Sequence, residues 1–224
     1  MDVAAQILAS TEVASAFLCP ELRLHLITPA CSLWRAGEAE AAALGFVEPY
    51  WAFAWAGGQA LARFLLDAPE RVRGRRVLDF GSGSALAGLA AARGGASRVV
   101  AADIDPLASV AAELNASLNG LSLETSARDL VGTLEPAAEF DLVLAADVTY
   151  EAALTARVLA WLAALAARGV EVLVADPGRG FLREELLGET GALVPLATYQ
   201  APADIDLDGR HLRSTTVARL EARR

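Results

Sequence analysis

Lysine is missing from the 224 residues, so all 19 basic side chains are arginines. Against them stand 28 acidic residues, for a formal net charge of -9. Phosphate backbones are bound by clustered cations, so this balance argues against a nucleic-acid partner. The arginines are scattered, apart from Arg71, Arg73, Arg75 and Arg76, which read as a solvated loop ahead of a strand. Cysteine is scarce: Cys19 and Cys31 lie near the N-terminus with no metal-ligand spacing to a histidine. That pattern suits reduced thiols in the cytosol rather than a disulfide framework. His25 and His211 have no catalytic company, and no metal site is implied. Long apolar runs are lacking too, so no bilayer span is expected. The start, Met1-Asp2-Val3-Ala4, has no basic segment of the kind that opens a secretory leader. The expectation is a cytoplasmic protein off the membrane.

What is present is a chain 54% hydrophobic, rich in alanine at helical spacing. Its length suits one domain with a full core and an accessory segment. Val3 to Phe17 has helical periodicity, and Pro20 and Pro29 then open an irregular stretch through Trp34. From Glu48 to Trp55 the chain is aromatic and extended. Gly57-Gly58 leads into a helix to about Leu66, with Pro69 at its exit. Strands and helices alternate from there. Strands are predicted near Arg76–Phe80, Arg98–Ala102, Leu123–Ala127, Asp141–Ala146 and Val170–Ala175. The helices between them are Ala85–Arg93, Asp105 to Leu118 and Glu151–Ala167, with a short one at Phe181–Gly188. Asp105-Pro106 is an N-cap followed by a proline at the first helical position. Leu193–Tyr199 and His211–Leu220 read as a final antiparallel pair joined by an acidic turn of Asp204, Asp206 and Asp208. The predicted fold class is α/β. It is a Rossmann-like, seven-stranded, mostly parallel sheet with helices on both faces and an antiparallel C-terminal hairpin. Such a sheet binds its ligand beyond the carboxyl ends of its strands.

The chemistry-bearing residues fall at those ends. Val77-Leu78-Asp79-Phe80 runs into the turn Gly81-Ser82-Gly83, and Val99-Val100-Ala101-Ala102 stops at Asp103. Glycines after the first strand and an acid after the second mark a β-α-β unit that holds a nucleoside-bearing cofactor. NAD sites prefer a third glycine where this chain has Leu86, although Gly88 is close by. Asp103 can accept hydrogen bonds from both ribose hydroxyls, and Ile104 follows it. Asp129 can meet an adenine amino group. Ala146 and Asp147 end the fourth strand. Three acids on one rim favour S-adenosylmethionine over a dinucleotide. Asp79 suits either fixing the glycine loop or orienting the methionine amino group. Gln59 is a further candidate for a cofactor hydrogen bond. Plainer readings stand beside these: a tight turn for Gly81 and Gly83, an N-cap for Asp105, a solvated loop for Asp129, a surface helix for Gln59.

The stretch from Pro49 to Asp67, PYWAFAWAGGQALARFLLD, resembles the pre-core motif of the lysine methyltransferases that act on the electron transfer flavoprotein β subunit. Leu26-Ile27-Thr28-Pro29-Ala30-Cys31 lies upstream, and Val77 to Gly83, Asp103-Ile104-Asp105-Pro106, Asp147-Val148-Thr149-Tyr150 and Asp176-Pro177-Gly178-Arg179 follow in the family's order. Two positions depart from it: Ala56 where proline is common, and Ser84-Ala85 where the family has cysteine-glycine.

The resemblance implies transfer of a methyl group from S-adenosylmethionine to a lysine ε-amine, by a monomer acting on a protein partner. It divides the chain into an N-terminal helical and aromatic lid segment, residues 1–70, and a class I methyltransferase domain, residues 71–224. Lysine ordinarily titrates near 10.4, so the site must admit or create the neutral amine. Asp147 would bind or orient the incoming ammonium. Tyr150 would hydrogen-bond it and wall the channel. Trp51 and Trp55 would close over the cofactor or line that channel, since aromatic faces attract cations. Helix capping for Asp147 and core packing for Tyr150 and Trp51 are the plainer roles. Without lysine, the chain cannot modify its own side chains in this way. Other readings remain. One is a small-molecule N-methyltransferase of the nicotinamide type, and another a methyltransferase of a different protein such as a ribosomal one. The last is a nucleotide-binding oxidoreductase or silent scaffold. Val148-Thr149 stands where nucleobase-amine methyltransferases carry a proline pair, which disfavours a nucleobase target.

Overall fold

Helix α1 (Val3–Ser10) is shorter than its periodicity predicts. Instead of continuing to Phe17, the chain turns back in an antiparallel hairpin of β1 (Glu12–Ala16) and β2 (Cys19–Leu26). The cause lies in Leu22-Arg23-Leu24-His25-Leu26, where apolar and polar residues alternate with the period of a strand. Leu22, Leu24 and Leu26 are buried while Arg23 is exposed. The structure, a computed structural model, describes residues 2–36, 38–135, 139–178, 180–182, 186–188, 191–202 and 212–223. Arg179, His211, the acidic turn of Asp204, Asp206 and Asp208, and residues 183–185 of the expected short helix lie outside them.

Short helices α2 (Ser32–Arg35) and α3 (Glu38–Ala43) and a 3-10 turn at Tyr50–Ala52 lead to α4 (Ala56–Asp67). The alternating part follows as β3 (Arg76–Phe80), α5 (Leu86–Arg93), β4 (Arg98–Ala102), α6 (Pro106–Leu118) and β5 (Glu124–Ser126). Then come β6 (Leu142–Ala146), α7 (Ala152–Ala167), β7 (Glu171–Asp176), β8 (Gly191–Pro202) and β9 (Leu212–Ala222). The seven-stranded sheet runs β5-β4-β3-β6-β7-β9-β8. Strands β5 to β7 are parallel, and β9 is antiparallel to both β7 and β8. The last strand is thus inserted between β7 and the outermost β8.

The pleat sorts the core into two layers. Val77, Leu142, Leu144 and Leu173 point to one face, against Leu61 and Leu65 of α4 and Leu89 of α5. Leu78, Val143, Val172 and Val174 point to the other, against Val158, Leu159 and Leu162 of α7. The middles of these strands are apolar on both sides of the pleat because both faces are covered, with the buried Asp79 as the exception. The N-terminal hairpin packs its leucines into the first layer. Its edge is covered by α6: the amides of His25 and Arg23 donate to Oδ1 of Asn115 (2.7 Å) and Asn119 (2.9 Å). Asn115 is fully buried and also donates to the Ser84 carbonyl at 3.0 Å, so one side chain joins the hairpin to the glycine loop.

Strand order reverses about β3. The chain moves to β4 and β5 on one side, then crosses to β6 and β7 on the other. The carboxyl ends of β3 and β6 therefore splay around a crevice at the switch point, where open α/β sheets bind their ligands.

Candidate active site

That crevice opens into a cavity of about 700 Å³, within the range of roughly 300–1,000 Å³ usual for cofactor sites. Its floor is the loop after β3. Gly81 and Gly83 take φ of 64° and 49°, a region open to glycine. A side chain at Gly81 would also strike Val148 Cγ1 at 2.6 Å. The loop amides are already engaged. Gly81 and Ser82 donate to the Ala102 carbonyl at 2.8 and 3.1 Å, and Gly83 donates to Asp103 Oδ2 at 2.9 Å. A pyrophosphate-binding loop needs such amides turned to the ligand. This one turns them into β4, so the floor fits a nucleoside group without phosphates.

Asp103 holds the loop with one oxygen and accepts the Asp105 amide at 3.0 Å with the other. A carboxylate offers about four acceptor positions, which leaves capacity for a ribose diol. Ile104, 70% exposed, and Val131 flank it as apolar walls, and Asp129 lines the same end while accepting the Val131 amide at 3.0 Å. Asp105 is the N-cap of α6, accepting from Leu107 at 2.8 Å, and burial raises its carboxyl above the ordinary range. Asp79 is 2% exposed and lines the cavity floor. Burial pushes its carboxyl up to about 7, with Asp103 adding to the rise and the Gly88 amide, donating at 2.8 Å, opposing it. Gly88 is the glycine that the sequence pattern offered near the third position. It is needed because a Cβ there would sit 2.9 Å from Asp79 Oδ2.

Asp147 lines the cavity at the end of β6, next to Ala146. It does not cap the helix that follows it. Its Oδ2 accepts the Gly58 amide at 2.9 Å, so it caps α4 from across the sheet, where an anion is favoured by the helix dipole. The adjacent glycine explains the Gly57-Gly58 pair: a Cβ at Gly57 would meet Asp147 Oδ2 and the Ala175 carbonyl, each at 2.6 Å. Asp147 takes φ 57°, and Glu48 and Ala85 take 45° and 59°. These are the non-glycine residues with positive φ among those described; Glu48 and Asp147 line this cavity, and Ala85 is buried in the loop between the lining residues Ser84 and Leu86. Strain of this kind gathers at ligand clamps. Ala85 stands where the resembling family has glycine, which the left-handed backbone would prefer.

Tyr150 and Trp55 line the mouth. The Trp55 indole donates to the Tyr50 carbonyl at 2.8 Å. Burial raises the Tyr150 phenol, and Asp103, Glu151 and Glu48 raise it further. One expected ligand contact is corrected. Gln59 is 3% exposed and does not line the cavity. Its amide donates to the Ala54 carbonyl at 2.6 Å and accepts the Leu18 amide at 3.1 Å. It ties the aromatic segment to the N-terminal hairpin. Reading the sequence also missed Glu48 and Tyr50 as lining residues. Their position at the head of the aromatic stretch was the available signal.

A switch-point cavity floored by a glycine loop and rimmed by strand-end acids, on this strand order, defines a Rossmann-like methyltransferase. Solved structures agree in fold. Ribosomal protein L11 methylase from Lactobacillus delbrueckii subsp. bulgaricus matches with a TM-score of 0.52 and 21% identity, over 75% of this chain and 79% of that one. Magnesium protoporphyrin IX methyltransferase from Synechocystis PCC 6803, with bound S-adenosylmethionine, gives 0.52 and 19%, over 75% and 79%. The family model for ribosomal protein L11 methyltransferase (PrmA) matches residues 60–166. The electron transfer flavoprotein beta subunit lysine methyltransferase of Xenopus laevis is 42% identical over 214 residues, 94% of this chain and 84% of that protein. The chain belongs to the electron transfer flavoprotein beta subunit lysine methyltransferase family, and it is an enzyme that methylates.

Proposed function

We propose that this protein transfers a methyl group from S-adenosylmethionine to a lysine ε-amine of the electron transfer flavoprotein β subunit. The observation that carries the reading is Asp147 and Tyr150 on one cavity with the loop 81–83, in a chain akin to that family over nearly its whole length. When bound, the cofactor supplies a methyl on a positively charged sulfur and leaves as the neutral thioether. Asp103 holds the ribose, Asp129 with Ile104 and Val131 receives the adenine, and Asp79 with Gly81, Ser82 and Gly83 receives the methionine portion. Trp55 and Ala146 bound the space toward the acceptor. Within the segment before residue 71, the aromatic stretch from Glu48 to Trp55 walls the cavity as its lid, while the hairpin and α4 pack into the core of the domain that follows.

The acceptor must arrive as a cation and react as a neutral amine. Asp147 draws the ammonium to the rim and orients it, while Tyr150 contacts it through its ring and hydroxyl. The ammonium proton passes to solvent at the open mouth, and the freed lone pair forms the new N–C bond. Alignment rather than strong base catalysis supplies most of the rate. The acidic net charge and the two buried free cysteines support a monomer of the reducing cytoplasm without a nucleic-acid partner. No described helix is long and apolar enough to cross a membrane. Incubation with labelled S-adenosylmethionine and purified electron transfer flavoprotein, followed by peptide mass spectrometry, should place the label on a β-subunit lysine. Label found only on nicotinamide-like amines, or on ribosomal protein alone, would replace this reading.

A further inference from the structure

Glu48 and Tyr50 line the cavity and are not among the residues assigned to the cofactor above. Tyr50 Oη donates to Glu48 Oε1 at 3.0 Å, and the Tyr50 amide donates to the Glu48 carbonyl at 2.6 Å. That tight turn holds Glu48 at φ 45°. Its side chain is exposed, so core packing does not account for the strain. The Tyr50 ring lies 6.0 Å from the Trp55 ring and 6.4 Å from the Tyr150 ring, centroid to centroid. Tyr50 and Tyr150 are each 50% exposed, so the two phenol rings meet at the mouth with open faces.

We propose that Glu48 and Tyr50, with Tyr150 beside them, form a cation-selecting mouth that receives the side-chain ammonium of an incoming lysine before it reaches Asp147. This deepens the substrate reading above and rests on it. Ring faces attract an ammonium through their quadrupoles, and a carboxylate beside them adds a charge-assisted hydrogen bond. A hydroxyl or a thiol acceptor gains neither. The carboxylates that act on Tyr150 are Asp103, Glu151 and Glu48, so the field at the mouth favours a cation. Arg128 and Arg157 line the cavity as well. The Trp55 bond to the Tyr50 carbonyl fixes the backbone and the Tyr50 Oη bond to Glu48 fixes the ring, so the mouth is formed before the substrate arrives.

The test has two arms. In the first, Nα-acetyl-lysine methylamide is titrated by NMR into the protein saturated with S-adenosylhomocysteine. Glu48→Gln and Tyr50→Ala should each weaken binding by about threefold to tenfold, and Tyr50→Phe, which keeps the ring, by less. Unfolding midpoints and cofactor affinity confirm that the variants are folded. If Tyr50→Ala does not fold, Glu48→Gln decides alone. Unaltered probe binding in folded variants overturns the mouth. In the second arm, methylation of electron transfer flavoprotein is followed, and both variants should raise KM more than they lower kcat. A wild-type enzyme that leaves the flavoprotein unmodified, yet binds the probe through Tyr50 and Glu48, refutes the substrate and keeps the mouth. Methylation with KM unmoved in both variants refutes the mouth and keeps the substrate.

Discussion

Replacing Asp79 with asparagine should flatten the pH dependence of stability between about pH 4 and about pH 7. The carboxyl is 2% exposed, and burial raises it from 3.8 to about 7. In the folded protein it keeps its proton up to about pH 7, whereas in the unfolded chain it releases it near 3.8. Between those values the native state binds more protons, so the unfolding free energy falls as pH rises. The contribution is fully present below 3.8, is lost through the window, and levels off above about 7. At 1.36 kcal/mol per pH unit, the whole loss amounts to roughly 4 kcal/mol, an upper bound. Asparagine keeps an oxygen for the Gly88 amide and cannot ionise. The variant should therefore match the wild type near pH 4 and exceed it by up to a few kcal/mol near pH 8. Urea unfolding of both proteins across that range, without cofactor and at constant ionic strength, measures the difference. Parallel stability curves would refute the reasoning, because they would mean that Asp79 carries the same charge in both states throughout.

Asp103→Ala should weaken S-adenosylmethionine binding at least tenfold by calorimetry, since each lost charge-assisted bond contributes about 1.5–3 kcal/mol and the Gly83 amide also loses its anchor. Asp147→Asn keeps an acceptor for the Gly58 amide, so it should leave cofactor affinity within about threefold while turnover falls at least tenfold; equal turnover would return Asp147 to a capping role alone. Gln59→Ala should lower the unfolding free energy by about 1–3 kcal/mol through the stranded Leu18 amide, with a cofactor affinity that changes little; a large loss of affinity would restore Gln59 to the ligand site. Ala85→Gly should stabilise the protein by about 0.5–1 kcal/mol in urea titrations, because relief of the left-handed strain exceeds the added chain entropy.

The sheet was legible because its strands are covered on both faces. Continuous apolar runs of that kind, each ending in a glycine or an acid, have few other uses, and β3, β4, β6 and β7 fall within a residue or so of their expected bounds. In the N-terminal hairpin, β2 carried a strand alternation from Leu22 to Leu26, but β1 carried none. Alanine and serine suit a helix locally, and β1 becomes a strand only because β2 offers its backbone as a partner.

Residue order alone determined that Asp79, Asp103, Asp129 and Asp147 reach one rim, because each sits at or just beyond the carboxyl end of a parallel strand, and parallel strands end on the same side. Tertiary structure decided what each of them does there. Asp147 reaches back to cap α4, Gln59 turns away to the hairpin, and the loop amides close onto β4 instead of facing a phosphate. Those choices depend on hydrogen bonds between residues 20 to 89 positions apart, and local periodicity carries no record of such partners.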